Sequence, residues 1–176
     1  MRRALVGLCV CCLLAGCLGA LGGDAGQMTY NGTVTSVADG DTIDVRLEDG
    51  AVETVRLLGI DTPEVHVATS PEEFGVPNTT AGRACLRAVG ENASAVVRAR
   101  VDGRRVRLEI DPTADRRGDY GRLLAYVFVD DENLNRGLVA EGYARVYETT
   151  FERRDWFEAA AADARAADAG VWRCRR

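Results

Sequence analysis

The 176-residue chain is 47% hydrophobic and 28% charged, a balance that suits one folded domain and excludes an extended low-complexity chain. All of its basic residues are arginine, yet the formal net charge is −5, which excludes a generally basic nucleic-acid binder. Any phosphate site must therefore come from a local arginine cluster, where a permanent charge and bidentate donors suit phosphate oxygens.

The first 17 residues read as a targeting segment. Arg2 and Arg3 precede an apolar run over residues 4–14 that is too short to span a bilayer comfortably. Leu14-Ala15-Gly16-Cys17 then has the small-residue layout of a lipobox, which makes Cys17 a lipid-carrying N-terminus and places the protein on the outer face of a membrane. An ordinary signal peptide cut nearby, with a freely secreted product, is the alternative. Residues 18–27 are rich in glycine and alanine and read as a flexible tether, so the folded body is expected over residues 28–176. Cys9, Cys11 and Cys12 leave with the signal, and Cys85 and Cys174 remain as an even pair in an exported protein. A disulfide between them is expected, with two unpaired thiols as the alternative.

Residues 29–37 alternate and are rich in threonine and valine, and residues 42–47 alternate Ile43, Val45 and Leu47 with polar side chains. Asp49-Gly50 is a hairpin signal, and residues 52–60 return as one strand. The pattern loosens over residues 65–90, where Thr80 is placed to cap a short helix carrying Ala84, Cys85 and Ala88. A second helix is predicted over 91–101, then strands over 106–110 and 123–129, the latter turned by Asp130-Asp131. Residues 133–141 fit a helix ended by Gly142, and residues 144–147 a short strand. Residues 151–167 form an alanine-rich helix with Trp156 and Phe157 on one side, ended by Gly170, with Val171-Trp172 packing back on the body. Short strands mixed with a few helices give an α+β class, and the tight turns favour a small barrel.

Three stretches carry chemistry: Asp39-Gly40-Asp41-Thr42, Arg56-Leu57-Leu58-Gly59-Ile60-Asp61-Thr62-Pro63-Glu64, and Asp119-Tyr120-Gly121-Arg122. Carboxylates at a turn and a strand end offer hard oxygen donors to calcium or magnesium. Two arginines facing them suit a phosphate, and a nearby glutamate suits water activation. Those are the parts of phosphodiester hydrolysis.

In this order, and continued by Leu123-Leu124-Ala125-Tyr126-Val127 and the helix-glycine-strand segment 133–146, these stretches resemble the staphylococcal nuclease (thermonuclease) family over residues 33–172. The resemblance implies an OB-like five-stranded barrel with three helices. It implies a calcium-dependent nuclease acting on DNA, RNA or both, with no protein partner. It further implies that Asp41, Asp61 and the backbone carbonyl of Thr62 bind Ca2+, that Glu64 acts on the attacking water, and that Arg56 and Arg122 hold the scissile phosphate. Asp39 and Asp119 would support the site, and Tyr120 and Tyr147 would meet the nucleotide.

The chain departs from the family in carrying arginines where lysines are usual, and in an insertion of about residues 65–89 next to Glu64. That insertion either shapes substrate access or is a neutral surface element. His66, the sole histidine, reads as a rim residue, and Arg116 and Arg117 as a wet surface or a phosphate-steering pair. Competing with the enzyme are a non-catalytic OB-fold module that binds single strands and a structural surface lipoprotein. The small aromatic content and acidic charge weigh against the binding module.

Overall fold

The computed structural model describes residues 28–67 and 69–176, so the targeting segment, Cys17 and the tether lie outside the described residues. In chain order the elements are β1 (Thr29–Val37), β2 (Thr42–Leu47), β3 (Val52–Leu57), β4 (Ile60–Asp61), α1 (Thr80–Val101), β5 (Arg105–Glu109), β6 (Leu123–Val129), β7 (Glu132–Asn133), α2 (Leu134–Ala140), β8 (Arg145–Val146) and α3 (Arg154–Ala166). β1, β2 and β3 form an antiparallel meander in which β2 turns Ile43, Val45 and Leu47 inward. Gly50 makes the β2–β3 turn at φ 89°, a conformation that favours glycine. β1 also pairs with β5, and β5 with β6. β6 then runs parallel to β3, with Val55 opposite Leu123, Arg56 opposite Leu124 and Leu57 opposite Ala125. That pairing closes five strands into a barrel with three helices around it, an OB-like α+β fold.

Two predicted elements differ. The strand expected over residues 52–60 breaks after Leu57. The Leu58 N–H reaches across to the Ala125 carbonyl at 2.9 Å. Gly59 turns at φ 78° with its α-carbon against the Phe151 ring, and the chain leaves the barrel as β4. Secondly, the two predicted helices are one, α1, capped by Thr79 rather than Thr80: the Thr79 hydroxyl accepts from the Gly82 N–H at 3.0 Å. α1 runs through Gly90 because the helix lies against the loop after β4. A Cβ at Gly90 would stand 2.3 Å from the Pro63 carbonyl oxygen. Gly90, at the boundary of the two predicted helices, is a point of close approach, and the non-helical part of the insertion shortens to residues 65–79, containing one 3-10 turn, Pro71–Phe74.

The Asn133 side chain caps α2 by accepting from the Arg136 N–H at 2.8 Å, and Gly142 ends the segment at φ 75°. α3 buries Phe157, Ala160, Ala161 and Ala164, while Trp156 is 45% exposed and sits beside the Arg136 guanidinium. Neighbouring helical residues point about 100° apart, so Trp156 and Phe157 do not share a side. The terminal 3-10 segment Gly170–Arg175 buries Val171, Trp172 and Cys174. Cys174 is joined to Cys85 on α1, with Cα atoms 5.6 Å apart and a sequence separation of 89. For a loop of that length the chain-entropy argument gives roughly 4–5 kcal/mol as an upper figure.

A buried carboxylate organises the start of the loop that joins β5 to β6. Asp111, 2% exposed, accepts through Oδ1 from the Thr113 N–H and hydroxyl, both at 2.7 Å, and from the Ala114 N–H at 3.1 Å. Its Oδ2 accepts from the Tyr126 hydroxyl and from the Glu152 N–H at 2.8 Å. Burial pushes the Asp111 carboxyl upward, but the Tyr126, Thr113 and Glu152 donors together hold it below the ordinary carboxylate value. Burial and the adjoining carboxylate push the Tyr126 hydroxyl up. A depressed carboxyl stabilises the fold above its unfolded pKa of about 3.9, and that contribution disappears as pH falls through the folded value. Asp111→Asn is therefore expected to lower stability by about 1–3 kcal/mol at neutral pH. Urea unfolding of both proteins should show the gap narrowing below about pH 4. A gap independent of pH would assign the loss to packing instead.

Candidate active site

The barrel closure assembles the site. β2 and β3 pair so that Thr42 faces Arg56, and the Leu57 N–H donates to the Asp41 carbonyl at 2.8 Å, which sets Asp41 beside Arg56. Arg122 stands two residues before Leu124, the parallel neighbour of Arg56, so alternation places both arginines at one end of the same sheet face. The turn out of β3 then returns Asp61 to that end. Gly40 permits the Asp39-Gly40 turn to press on this loop, since a Cβ there would lie 2.8 Å from the Thr62 hydroxyl and 2.9 Å from the Ala93 Cβ.

Asp41 is 4% exposed. Its Oδ1 accepts from the Thr42 hydroxyl at 3.1 Å, and its Oδ2 from the Thr62 N–H at 2.9 Å and the Thr62 hydroxyl at 3.0 Å. Arg56 bridges two carboxylates: Nη1 pairs with Asp41, and Nη2 donates to Asp61 Oδ1 at 3.0 Å. Asp61 Oδ2 accepts from Arg145 Nε at 2.9 Å. Asp39 closes its turn by accepting from the Asp41 N–H at 3.1 Å. Burial pushes the Arg56 guanidinium below its usual value, opposed by Asp61 and Asp39 and reinforced by Arg122; an arginine so placed stays charged. Partial burial raises the Glu64 carboxyl, helped by Asp39 and Asp61 and held back by Arg56 and Arg122. Glu64 nonetheless keeps an exposed surface, so this burial is shallow.

A pocket of about 360 Å³ opens here, lined by Arg56, Asp61, Asp119, Arg122, Arg145 and Tyr147 among others. Asp41 and Thr62 lie buried behind that surface. Glu64 does not line it but borders a separate groove with Arg83 and Arg87. Tyr120 also stands outside, 97% exposed at φ 59°, with the Arg122 guanidinium 5.7 Å from its ring centre. Tyr147 lines the pocket and Tyr120 does not. His66 is exposed. Arg117 is a lining residue, but it is held by Glu53 at 2.9 and 3.0 Å and by the Gly121 carbonyl at 2.6 Å, while Arg116 donates to the Tyr30 hydroxyl. The two brace their own loop. Sequence reasoning missed Arg145 and Glu73, which both line the pocket; the one available signal was the position of Arg145 in the short strand beside Tyr147.

The acidic groups at this site offer only oxygen, and oxygen-only sets suit hard divalent cations rather than zinc or copper. Two of these carboxylates already converge on a single positive charge, that of Arg56. Among the described residues, no three His, Cys, Asp or Glu side chains cluster as a self-sufficient metal cage. A cation held by these donors would have to complete its shell with backbone oxygen, water or a ligand.

A family profile described as staphylococcal nuclease homologue matches residues 54–174. The thermonuclease of Staphylococcus hyicus is 32% identical over 151 residues, covering 85% of this chain and 78% of that protein. An uncharacterized protein of Methanocaldococcus jannaschii, MJ1439, is 35% identical over 149 residues, covering 81% of this chain and 72% of its own length. Endonuclease YncB of Bacillus subtilis is 37% identical over 145 residues, 81% of this chain but 61% of that protein, so the chain spans less than two thirds of it.

Gly90 tests how tightly α1 abuts the loop carrying Asp61 and Thr62. Alanine favours helices over glycine by about 1 kcal/mol. Gly90→Ala is nevertheless expected to destabilise the protein by about 1–3 kcal/mol, because the added carbon meets the Pro63 carbonyl. Chemical denaturation measures this, and a stabilised variant would show that the helix has room there.

Proposed function

The chain belongs to the staphylococcal nuclease family, and from that premise we propose that it hydrolyses phosphodiester bonds of DNA, RNA or both in a calcium-dependent reaction. The observation that carries the reading is the convergence of Arg56, Arg122 and Asp61 on one pocket, with the Glu64 carboxyl close enough to feel both arginine charges.

In this reading Arg56 and Arg122 grip the non-bridging oxygens of the scissile phosphate, and their charge opposes the negative charge that grows there. Arg56 is preset, because Asp41 and Asp61 fix its guanidinium before substrate arrives. Glu64 orients the attacking water and takes its proton; the upward push on its carboxyl moves it toward the range of a working base. Asp41, Asp61 and the Thr62 carbonyl would hold the calcium ion. What bound calcium supplies is Lewis-acid polarisation of a phosphoryl oxygen. Asp39 and Asp119 support the site, and Tyr120 and Tyr147 offer two separate apolar faces to the nucleotide. The protein is exported in this reading and tethered to the outer face of the membrane through lipid on Cys17.

Hydrolysis of a labelled oligonucleotide should stop under a calcium-selective chelator and return when calcium is restored. Arg56→Ala, Arg122→Ala and Glu64→Gln should each lower turnover about 100- to 1000-fold while the fold persists. Near-normal turnover in folded Arg122→Ala would remove its assigned role, and full activity under chelation would remove the metal.

The anchor is tested by fractionation. The wild type should partition with membranes and Cys17→Ser should not be found there as a processed, lipid-bearing form. A wild type recovered soluble in the medium with an unmodified N-terminus would replace the anchored reading with the secreted one.

A further inference from the structure

Asp61 is gripped from two sides. Arg56 takes Oδ1, and Arg145 takes Oδ2 with a fork, Nε at 2.9 Å and Nη2 at 2.8 Å. The register of β4 against β8 sets this up, since Asp61 and Arg145 are directly paired residues. The Arg145 side chain is 15% exposed and lies between two rings, 5.1 Å from the centre of Phe74 and 5.8 Å from that of Tyr147. Its Nη2 also stands 3.3 Å from Glu73 Oε2. Glu73 and Phe74 belong to the 3-10 turn of the insertion. That turn is tied in its turn: Arg175 Nε donates to the Phe74 carbonyl at 3.2 Å, and the preceding residue, Cys174, is bonded to Cys85.

We propose that Arg145, set by Glu73 and Phe74 of the insertion, is a positioning residue that fixes the Asp61 carboxylate for cation binding. The proposal rests on the calcium-dependent nuclease reading. Charge alone argues the other way, because a guanidinium beside a carboxylate ligand repels an incoming cation. The Glu73 carboxylate settles the balance. Arg145 and Glu73 together add no net charge to the neighbourhood of Asp61, while Asp41, Asp61 and Arg56 leave a surplus of one negative charge there. What Arg145 adds is therefore orientation: it holds one oxygen of Asp61 and removes the carboxylate's rotational freedom. A partner that orients a ligand in this way typically changes metal affinity or activity by about 10- to 100-fold. The insertion is then neither neutral nor a simple gate, since it furnishes the counter-charge and the aromatic wall of this brace.

The test uses the oxidised, nucleic-acid-free protein and calcium alone, titrated by calorimetry, with oligonucleotide kinetics alongside. Arg145→Ala is expected to weaken calcium about 10- to 100-fold and to lower kcat with little change in KM. Arg145→Lys, which keeps the charge but not the fork, should fall part-way. Glu73→Gln should weaken calcium about twofold to fivefold, as loss of a half-exposed ion pair does. If the position were governed by charge alone, Arg145→Ala would tighten calcium while Glu73→Gln weakened it. Calcium binding by Arg145→Ala that is unchanged or tighter overturns the proposal. Should Arg145→Ala fail to fold, wild-type calcium affinity in both Arg145→Lys and Glu73→Gln overturns it. A wild type that binds no calcium removes the metal reading and the brace with it, whereas wild-type binding with unweakened variants removes the brace alone.

Discussion

The parallel pairing of β3 with β6 does two things at once. It closes the meander into a barrel, and it decides which residues from distant parts of the chain become neighbours. With Arg56 opposite Leu124, Arg122 must emerge at the same end of the barrel as Arg56. A slip of one residue would send one of the arginines to the opposite face of the sheet, because side chains alternate along a strand. The Leu58 N–H on the Ala125 carbonyl continues the same contact and starts the turn that returns Asp61. The arginines and the aspartate are thus coordinated by a single register.

Around that register the charges are mutually supported. Buried carboxylates are tolerated only when hydrogen-bonded or paired, and Asp41 is both. Its bonds to Thr62 lock the loop that carries Asp61 and Glu64, so the same acid serves loop geometry and the electrostatics of Arg56. Each member presupposes the others: Arg56 without its carboxylates is an unpaired charge in a half-buried place, and Asp41 without Thr62 is an underbonded one. Asp111 plays the corresponding part at the base of the loop that leads to Asp119 and Arg122, joining that loop to β6 and to the start of α3.

The insertion and the chain's C-terminal end form one further unit. Phe74 is buried, Arg175 bonds to its carbonyl, and the disulfide fastens the tail to α1. α1 in turn lies against Pro63. The segment beyond Glu64 is therefore held at both of its borders, by the helix that follows it and by the terminus that packs over it. That mutual support is why a stretch that reads as loose loop presents Glu73 and Phe74 in fixed positions beside Arg145.

Local pattern was enough to read β1, β2 and β6, the helix ended by Gly142, the turn at Gly50 and the ordered carboxylate and arginine motifs, because strand alternation, turn chemistry and motif spacing are short-range properties. It failed where a local signal had a long-range cause. The boundary expected between two helices falls at Gly90, yet one helix runs through it, and the glycine is there because Pro63, 27 residues earlier in the chain, lies against it. The hydrophobic run over residues 52–60 hid a turn that exists because Leu58 bonds to Ala125 across the barrel. Apart from the place of Arg145 in the short strand before Tyr147, nothing near Arg145 and Glu73 in sequence distinguishes them from surface charges. The sequence by itself determined the family motifs, with their carboxylates and arginines, and the strands that carry most of them. Only the tertiary structure decided that Asp61 would be shared between Arg56 and an arginine 84 residues away, because strand register and loop packing, not local composition, set which charges meet.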